Sequence, residues 1–363
     1  MKPTIAFFGS SLVSAYWNGA ATYYRGIIRA LFDLGYDVTF YEPDAYDRQR
    51  HRDIDDPPWA RVVVYRADED AGTDGVLFAL EEARRADVIV KTSGIGVFDT
   101  LLDRAVLDAA APQTRVVFWD VDAPASLDRL AADPDDPFHA LVPRYDMVLT
   151  YGGGEPVVRA YEGFGARVCL PIYNALDPAT HHAVPRDVRF RAHLAFLGNR
   201  LPDREARVEE FFLGAARRLP DRHCLLGGNG WHDKPLPPNV GYVGHVFTRD
   251  HNAFNSTPLA VLNISRESMA RYGFSPATRV FEAAGAAACI ITDAWEGLSH
   301  FLEPGTEVLV ASTGEEVAAH VSELTPPRAR AIGAAAMQRV LGEHTYVHRV
   351  AQLEGLLDLQ SVA

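Results

Sequence analysis

A short stretch around residue 280 carries residue types that can hold a phosphorylated nucleoside. Arg279 and Glu282 lie near the N-terminal end of a predicted helix, and Ser275 and Thr278 precede them. Helix N-termini attract anions, because their backbone N–H groups are unpaired and the helix dipole is positive there. A carboxylate at Glu282 can accept hydrogen bonds from a ribose diol. A second glycine-containing turn follows at Gly297, and the segment as a whole predicts a sugar-nucleotide site.

Each of these side chains also has a purely structural explanation. Glu282 alone could simply be a carboxylate that complements the helix dipole in the N-terminal turn. Arg279 could be an ordinary surface arginine on the same helix. Their combination favours nucleotide binding. A fixed guanidinium beside a diphosphate offsets its negative charge through charge-assisted hydrogen bonds.

Glycine-containing turns follow several predicted strands in the second half of the chain. Asn199 and Arg200 come directly after a buried strand, where α/β sheets bind ligands, and we expect both to face the phosphates. Gly228 and Asn229 follow the next strand, and Gly244 closes another. Such turns let a base and a ribose approach the backbone. The purely structural interpretation is that these glycine-containing turns only end their strands.

Asp120 and Asp122 follow a predicted strand in the first half of the chain, and three interpretations stay open. An Asp-x-Asp pair can hold Mn²⁺ or Mg²⁺ on a diphosphate. One carboxylate can instead face a cleft and act as a base or orient a second substrate, and Asp122 is the better candidate for this catalytic role. The structural alternative makes Asp122 an Asx-turn or helix N-cap residue.

The loop after the first predicted strand is polar and aromatic. Ser10, Trp17, Asn18 and Gly19 lie in it, and we expect them to line an acceptor cleft, with the aromatic ring stacking on a sugar or packing the loop. Asn18 is also positioned to cap the first helix.

Composition excludes several classes of protein. The 363 residues are 48% apolar and 23% charged, which is typical of a globular chain with two domains. The net charge of −13 disfavours nucleic acid and anionic membranes as partners. No apolar run reaches the length of a membrane span, so we expect a cytoplasmic protein without integral membrane association. Neither the three cysteines nor the histidines show ligand spacing, so zinc is not expected.

Strands and helices alternate along the whole chain, which predicts two doubly wound domains joined near 172–190. The first forty residues form a βαβ unit whose helix ends at Gly35. Strands are predicted at 4–8, 37–41, 61–65, 87–91, 115–119, 147–150, 167–170, 193–197, 223–226, 240–243, 260–264, 288–291 and 307–310. Later helices are predicted at 203–219, 276–287, 314–323 and 327–341.

Several of these segments together resemble one family. The sequence at 274–282, with Leu197–Arg200, Gly228–Trp231, Asn263–Ser265 and Trp119–Pro124, resembles the CgeB-type (spore maturation protein B-like) glycosyltransferases. The resemblance covers most of the chain from Trp119 onward. It implies the GT-B fold, in which two Rossmann-like domains face a central cleft. Many retaining GT-B enzymes carry two glutamates eight positions apart, but Phe274 stands where the first would be and Glu282 matches the second.

The resemblance also implies a domain organisation. Residues 1–175 form the acceptor-side domain and 176–345 the nucleotide-sugar domain. Residues 346–363 form a C-terminal helix that either packs back on the N-terminal domain, as is frequent in GT-B enzymes, or packs only on the second domain. Its apolar residues recur at helical spacing, at Val350, Leu353, Leu356 and Leu357.

The function predicted from these features is transfer of a sugar from a nucleoside-diphosphate sugar to a small molecule, glycan or protein. No metal or other cofactor is expected beyond this co-substrate. Two alternatives remain. A sugar-nucleotide epimerase shares the architecture, and a non-catalytic nucleotide-sugar sensor would bind without turnover. A dehydrogenase is disfavoured, because Gly-x-Gly-x-x-Gly does not follow the first strand.

Overall fold

The structure is a computed structural model that describes residues 2–67 and 72–357. The chain divides into two compact units. The first unit comprises Met1–Asn174 together with Tyr346–Ala363, and the second comprises Ala175–Thr345. The last six residues of the predicted C-terminal segment, 358–363, lie outside the described residues.

The first unit is built on a seven-stranded parallel sheet with the strand order β3-β2-β1-β4-β5-β6-β7. Its core strands are apolar on both faces, as expected for a parallel sheet covered by helices. The order reverses beside β1, which makes the sheet doubly wound. Its strands are β1 (Thr4–Phe8), β2 (Asp37–Asp44), β3 (Arg61–Arg66), β4 (Val88–Thr92), β5 (Arg115–Asp120), β6 (Met147–Thr150) and β7 (Cys169–Pro171).

Helices connect these strands. They are α1 (Ala21–Asp33), α2 (Asp74–Ala83), α3 (Asp99–Ala109), α4 (Ala123–Ala132) and α5 (Gly154–Gly163). Short 3-10 turns lie at Arg48–His51, Pro137–Ala140 and Val142–Arg144. The predicted end of α1 is confirmed, because Gly35 adopts a positive φ of 88° after the last turn. The predicted start is wrong: Ala20 occupies the N-cap position, and the Asn18 side chain bonds within the preceding loop.

The second unit repeats the design with six parallel strands in the order β10-β9-β8-β11-β12-β13. The prediction of two doubly wound parallel sheets is therefore confirmed. Its strands are β8 (Leu194–Leu197), β9 (Cys224–Gly227), β10 (Val240–Gly244), β11 (Ala260–Asn263), β12 (Ile290–Asp293) and β13 (Leu309–Ala311).

The helices of the second unit differ in three places from those predicted. The segment 203–219 is interrupted by a π turn at Glu209–Leu213, between α6 (Pro202–Val208) and α7 (Gly214–Arg218). Two helices were not predicted, α8 (Thr248–Ser256) and α9 (Glu267–Tyr272). The others are α10 (Thr278–Gly285), α11 (Gly314–Glu323) and α12 (Pro326–Glu343), and 3-10 turns lie at Val188–Phe190 and Leu298–His300.

The final helix, α13 (Tyr346–Leu357), packs on α1 within the first unit. Its Val350, Leu353 and Leu357 are buried. Gly26 of α1 provides the space for Tyr346, since a Cβ at Gly26 would lie only 2.1 Å from a ring carbon of that tyrosine. The described residues include no helix long and apolar enough to cross a bilayer.

This contact predicts the effect of adding one methyl group. Gly26→Ala should lower the free energy of unfolding by about 1–3 kcal/mol, because overpacking against Tyr346 outweighs the better helix propensity of alanine. Urea denaturation of the full chain measures the change.

Gly163→Ala is the matched control in the same unit. A Cβ there meets no described atom within 4 Å, so stability should be unchanged or slightly higher. Equal stability changes in the two variants would show that the contact between α1 and α13 is not close-packed.

Candidate functional site

The sheet of the second unit has its topological switch point between β8 and β11, which are hydrogen-bonded neighbours. Connections leave these two strands in opposite directions, so a crevice opens at their carboxyl ends, where doubly wound folds bind ligands. Gly198 follows β8 at this point, and Ile264 follows β11. Most of the residues predicted to bind a nucleotide lie on loops and helices around this edge.

Two of the predicted glycine turns meet here. Gly228 has a φ of 116°, and a Cβ on it would lie 2.3 Å from the carbonyl oxygen of Gly198. Only glycine permits this approach. The Asn229 N–H donates to Asn199 Oδ1 at 2.9 Å, and Trp231 Nε1 donates to the Gly198 carbonyl at 2.8 Å. The structure therefore brings Asn199, Gly228 and Asn229 together.

Gly244 joins the same cluster from the end of β10. Its carbonyl accepts a hydrogen bond from the Gly228 N–H at 2.7 Å, and its φ is 70°. A Cβ at Gly244 meets no described atom within 4 Å, so a ligand can approach the backbone at this position.

Arg200 requires a correction. Its guanidinium donates to both carboxylate oxygens of Glu205 at 2.8 Å and to Asp233 Oδ1 at 2.9 Å. Hydrogen bonds from Arg200 and then from Lys234 lower the pKa of Glu205 to about 2. The charge of Arg200 is thus already matched by carboxylates of the protein, and this side chain is not available as the expected phosphate ligand.

Arg279 and Arg204 have a different environment. Their guanidinium carbons lie 5.6 and 5.8 Å from the ring centroid of Phe196, the third residue of β8. Arg279 Nη1 and Arg204 Nε are shielded from solvent and have no hydrogen-bond acceptor among the described residues. Arg204 is only 7% exposed, and its Nη2 donates to the Asn199 carbonyl.

Electrostatics shows how poorly these two charges are matched. Burial, followed by the like charge of Arg279, lowers the pKa of Arg204 to about 9. Burial also lowers the pKa of Arg279, and Glu282 and Asp293 oppose this only at a distance. A buried cation without a partner destabilises a folded protein. An anion placed between these groups would supply the missing charge and acceptors, so the arrangement is suited to a phosphate or diphosphate.

Sequence analysis missed Arg204. The available signal was its position in the first turn of a helix that begins just after the Gly198 turn, with Pro202 at the first helical position. Arg200 is predicted instead, because the sequence does not show the ion pairs that Arg200 makes with Glu205 and Asp233 in the folded chain.

The loop before α10 is held in a fixed conformation. Phe274 has a φ of 44°, and its N–H donates to the Glu296 carbonyl at 2.7 Å. A Cβ on Gly297 would lie 2.2 Å from the Phe274 ring, so Gly297 serves loop packing. Ser275 is buried and its hydroxyl donates to the Gly273 carbonyl, whereas Thr278 is half-buried as the first residue of α10.

Glu282 lies on α10 beside two histidines that the sequence did not single out. One carboxylate oxygen of Glu282 and one ring nitrogen each of His181 and His251 lie within 4.8 Å of one another. His181 Nε2 is 3.7 Å from Glu282 Oε1. Burial lowers the pKa of His251, while the Glu282 charge opposes this shift. The three residues come from separate segments, which is why their spacing in the sequence gave no signal.

The two candidate catalytic aspartates, in the first unit, have different environments. Asp120 ends β5 with 0% exposure, and its carboxylate accepts hydrogen bonds from the Ser93 hydroxyl at 2.6 Å, the Tyr161 hydroxyl at 2.5 Å and the Asp122 N–H at 2.9 Å. These donors enclose the carboxylate, which disfavours direct catalysis by Asp120 and favours a role in positioning the loop. Asp122 is half-buried at the N-cap position of α4, where its side chain makes no cap hydrogen bond.

The predicted acceptor loop also separates into two kinds of residue. Ser10 and Asn18 are buried and bond to each other at 2.9 Å, and Asn18 Nδ2 donates to the carbonyls of Ser11 and Ser14. They support the loop and do not face an acceptor. Gly19 is exposed, and Trp17 is 59% exposed with a φ of 47°. Of the four, only these two present themselves to solvent.

Comparison with known proteins places this geometry in context. A family model described as "Glycosyl transferase-like" matches residues 204–355, which include Arg204, Arg279 and Glu282. No curated protein sequence matches the chain significantly.

Solved structures resemble the whole chain. HepE from Anabaena, in complex with UDP-glucose, is 15% identical with a TM-score of 0.68, over 98% of this chain and 99% of that one. Sucrose-phosphate synthase from Thermosynechococcus elongatus is 15% identical with a TM-score of 0.70, over 98% of each chain. An alpha-glucosyltransferase in complex with UDP-glucose and DNA is 12% identical with a TM-score of 0.71, over 98% of this chain and 100% of that one. At these identities the likeness establishes the fold.

Because its guanidinium group has no acidic partner among the described residues, we expect Arg279→Gln to weaken anion binding without lowering stability. Binding of inorganic pyrophosphate should weaken by about 1.5–3 kcal/mol, roughly ten- to a hundredfold, because charge-assisted hydrogen bonds are lost. The ligand-free protein should be equally stable or more stable, because a buried unpaired cation is removed. Calorimetric titration and thermal unfolding measure the two quantities.

Arg200→Gln serves as the control and should show the reverse pattern. Its pyrophosphate affinity should stay within about twofold, while stability falls by up to about 1 kcal/mol as Glu205 and Asp233 lose their partner. The anion site would be misassigned if Arg200→Gln weakened pyrophosphate binding more than Arg279→Gln.

Proposed function

We propose that this chain, a glycosyltransferase of GT-B architecture, binds its nucleoside-diphosphate sugar on the second unit, with the diphosphate against Arg279 and Arg204. The observation that carries this proposal is a pair of arginines at the sheet's switch point whose nitrogens Arg279 Nη1 and Arg204 Nε are buried without an acceptor among the described residues. Similar proteins are solved with UDP-glucose, which supports a UDP-sugar as the donor.

The diphosphate would be held by three kinds of group. Arg279 and Arg204 supply positive charge, and Asn199 with the Gly228 turn supplies a shaped backbone surface. The N-terminus of α10 adds backbone N–H groups, because its N-cap residue Ala277 provides no side-chain cap. When the bond from the anomeric carbon to the β-phosphate oxygen breaks, negative charge grows on that oxygen. Fixed cations at this place stabilise the transition state more than the ground state.

Glu282 is proposed to bind the ribose. It lies one turn beyond Arg279 on the same helix, close to the α10 N-terminus where the phosphates would sit. Its Oε1 faces His181, and the carboxylate retains a second oxygen for a ribose hydroxyl.

The acceptor side is proposed to lie on the first unit. Asp122 would accept the proton of the acceptor hydroxyl or orient that hydroxyl, and Asp120 would hold the Asp122 backbone in place through its 2.9 Å hydrogen bond. Ser93 secures the same loop, because its hydroxyl donates to Asp120 and accepts from the Val121 N–H at 2.9 Å. Exposed Trp17 and Gly19 would contact the acceptor.

Donor binding is proposed to be independent of metal. The carboxylate of Asp120 is occupied by Ser93, Tyr161 and the backbone, so Asp120 and Asp122 do not form an open Asp-x-Asp chelate. Arginine side chains and the α10 N-terminus would offset the phosphate charge instead.

Three finer assignments complete the proposal. The residues at 274–282 support membership of the CgeB-type branch. The buried free thiols Cys169, Cys224 and Cys289 support a reducing, cytoplasmic environment. The net charge of −13 supports an acceptor other than nucleic acid, although one similar alpha-glucosyltransferase is solved with DNA.

The ribose assignment predicts that Glu282→Gln weakens UDP binding by about 1.5–3 kcal/mol, because hydrogen bonds to a charged carboxylate are lost. Wild-type protein should discriminate UDP from 2′,3′-dideoxy-UDP, and the variant should not. Calorimetric titrations in EDTA measure the four affinities.

Glu315→Gln, an exposed change on α11, is the control and should leave all affinities unchanged. If Glu282→Gln lost UDP affinity yet retained full discrimination against the dideoxy analogue, the carboxylate would not contact the ribose.

Turnover separates the candidate functions. In EDTA, UDP-glucose should yield free UDP and a glycosylated product when a panel of sugars, glycans and peptides is supplied. Asp122→Asn should slow this by about a hundred- to ten-thousandfold with donor affinity retained, as expected for loss of a general base. Mass spectrometry of the donor and products provides the measurement.

The other outcomes have distinct meanings. An epimerised sugar nucleotide formed without acceptor would support the epimerase alternative. Activity lost in EDTA, restored by Mn²⁺ and abolished in Asp122→Asn, would support metal chelation by the aspartates.

A further inference from the structure

We propose that His181, His251 and Glu282 form a binding site for a divalent transition-metal ion of the zinc type. The three side chains come from the segment before β8, from α8 and from α10, and their potential ligand atoms lie within 4.8 Å of one another. Two imidazoles and a carboxylate are ligands that zinc accepts, whereas Mg²⁺ and Ca²⁺ prefer oxygen alone.

Three of the four ring nitrogens of His181 and His251 lack a hydrogen bond to any described residue. His181 is only 3% exposed, yet neither of its ring nitrogens has a hydrogen bond to any described residue. His251 Nδ1 is likewise buried without a partner. Buried polar atoms are almost always satisfied in folded proteins, so several orphaned atoms around one point indicate a missing ligand.

The hydrogen bond of His251 Nε2 determines which ring nitrogen of His251 can bind a metal. His251 Nε2 lies 3.1 Å from the Val246 carbonyl oxygen. A carbonyl only accepts hydrogen bonds, so Nε2 carries the proton and Nδ1 keeps its lone pair. This is the usual outer-sphere arrangement of metal-binding histidines, in which a backbone carbonyl fixes the tautomer.

Backbone contacts hold His181 in position. Asn252, the residue after His251, donates to the Thr180 carbonyl at 2.9 Å and accepts from the His182 N–H at 3.2 Å. These two bonds clamp the backbone on both sides of His181. The segment also lies close to α10, because a Cβ on Gly285 would be 2.9 Å from the His181 carbonyl oxygen. The three ligands therefore lie on elements that are tied together.

The spacing fits a tetrahedral ion after small movements. Ligand atoms bound to one zinc ion at ~2.1 Å lie about 3.4 Å apart. His181 Nε2 and Glu282 Oε1 are 3.7 Å apart, and no pair in the group exceeds 4.8 Å. Side-chain rotation closes these gaps, and the fourth position is left for water.

The ion would compete with the nucleotide, and this part of the inference rests on the proposed function. Glu282 is the carboxylate proposed to bind the ribose, so an ion held by Glu282 would remove it from the donor site. Binding free energies are reciprocal, and the nucleotide must weaken ion binding by the same factor by which the ion weakens nucleotide binding. The site would then be an inhibitory one.

Cobalt titration of the EDTA-treated and desalted full chain tests the inference. Co²⁺ substitutes for zinc, and its visible absorption reports four-coordinate binding. Wild-type protein should bind one Co²⁺ that Zn²⁺ displaces. His181→Phe and His251→Phe should each weaken binding at least about a hundredfold. These changes keep an aromatic ring in the buried position.

His182→Phe is the matched control, since it makes the same change at an adjacent exposed histidine and should leave Co²⁺ affinity unaltered. Thermal unfolding of each variant verifies that it is folded. Absence of a four-coordinate Co²⁺ spectrum in the wild-type protein, or equal loss in His182→Phe, would overturn the inference.

The same samples separate this inference from the proposed function. Zn²⁺ at saturation should raise the Kd for UDP about tenfold or more. Co²⁺ binding with no UDP binding to the metal-free protein would contradict only the proposed function. UDP binding with no Co²⁺ binding would contradict only the metal site, and independent binding of both would contradict the competition.

Discussion

The guanidinium groups of Arg279 and Arg204 lie against the Phe196 ring, and Arg279 Nη1 and Arg204 Nε are buried there without a hydrogen-bond acceptor among the described residues. Such groups oppose folding, and most proteins pair or expose them. The surrounding structure keeps them in place. Phe196 lies on β8, and Arg204 and Arg279 lie in the first turns of α6 and α10, so the doubly wound topology itself brings them to one edge of the sheet. A bound anion would offset these charges, and this would couple the fold of the second unit to the function we propose.

Backbone geometry also shapes the proposed anion site. Gly228 approaches Gly198 so closely that no side chain fits between them, and the open backbone at Gly244 lies beside the same turn. In the first unit, a comparable constraint acts on the loop after β5. Asp120 is fully buried and bonds Ser93, Tyr161 and the Asp122 N–H, so one aspartate fixes the position of the other. Two carboxylates separated by one residue thus have different environments.

The sequence predicted most strands, because parallel strands buried on both faces are continuous apolar runs such as Val116–Trp119. It missed α8, whose residues 248–256 are mostly polar and carry one large buried apolar side chain, Phe254. Residue types around 279–282 indicated a nucleotide site, but local sequence could not choose between Arg200 and Arg204. That choice depends on Glu205 and Asp233, which neutralise Arg200 only in the folded chain. The meeting of His181, His251 and Glu282 is also a tertiary event, since 101 positions separate the first residue from the last.

The central claim is that Arg279 recognises the second phosphate of a nucleotide. The most direct measurement is the ratio of the UMP and UDP dissociation constants, determined by calorimetry in EDTA for the wild-type chain and for Arg279→Gln. The account predicts that wild-type protein prefers UDP by about tenfold or more and that the variant largely loses this preference while still binding UMP, since a charge-assisted contact contributes about 1.5–3 kcal/mol. The same preference in both proteins would contradict the account, because the β-phosphate would then be bound elsewhere.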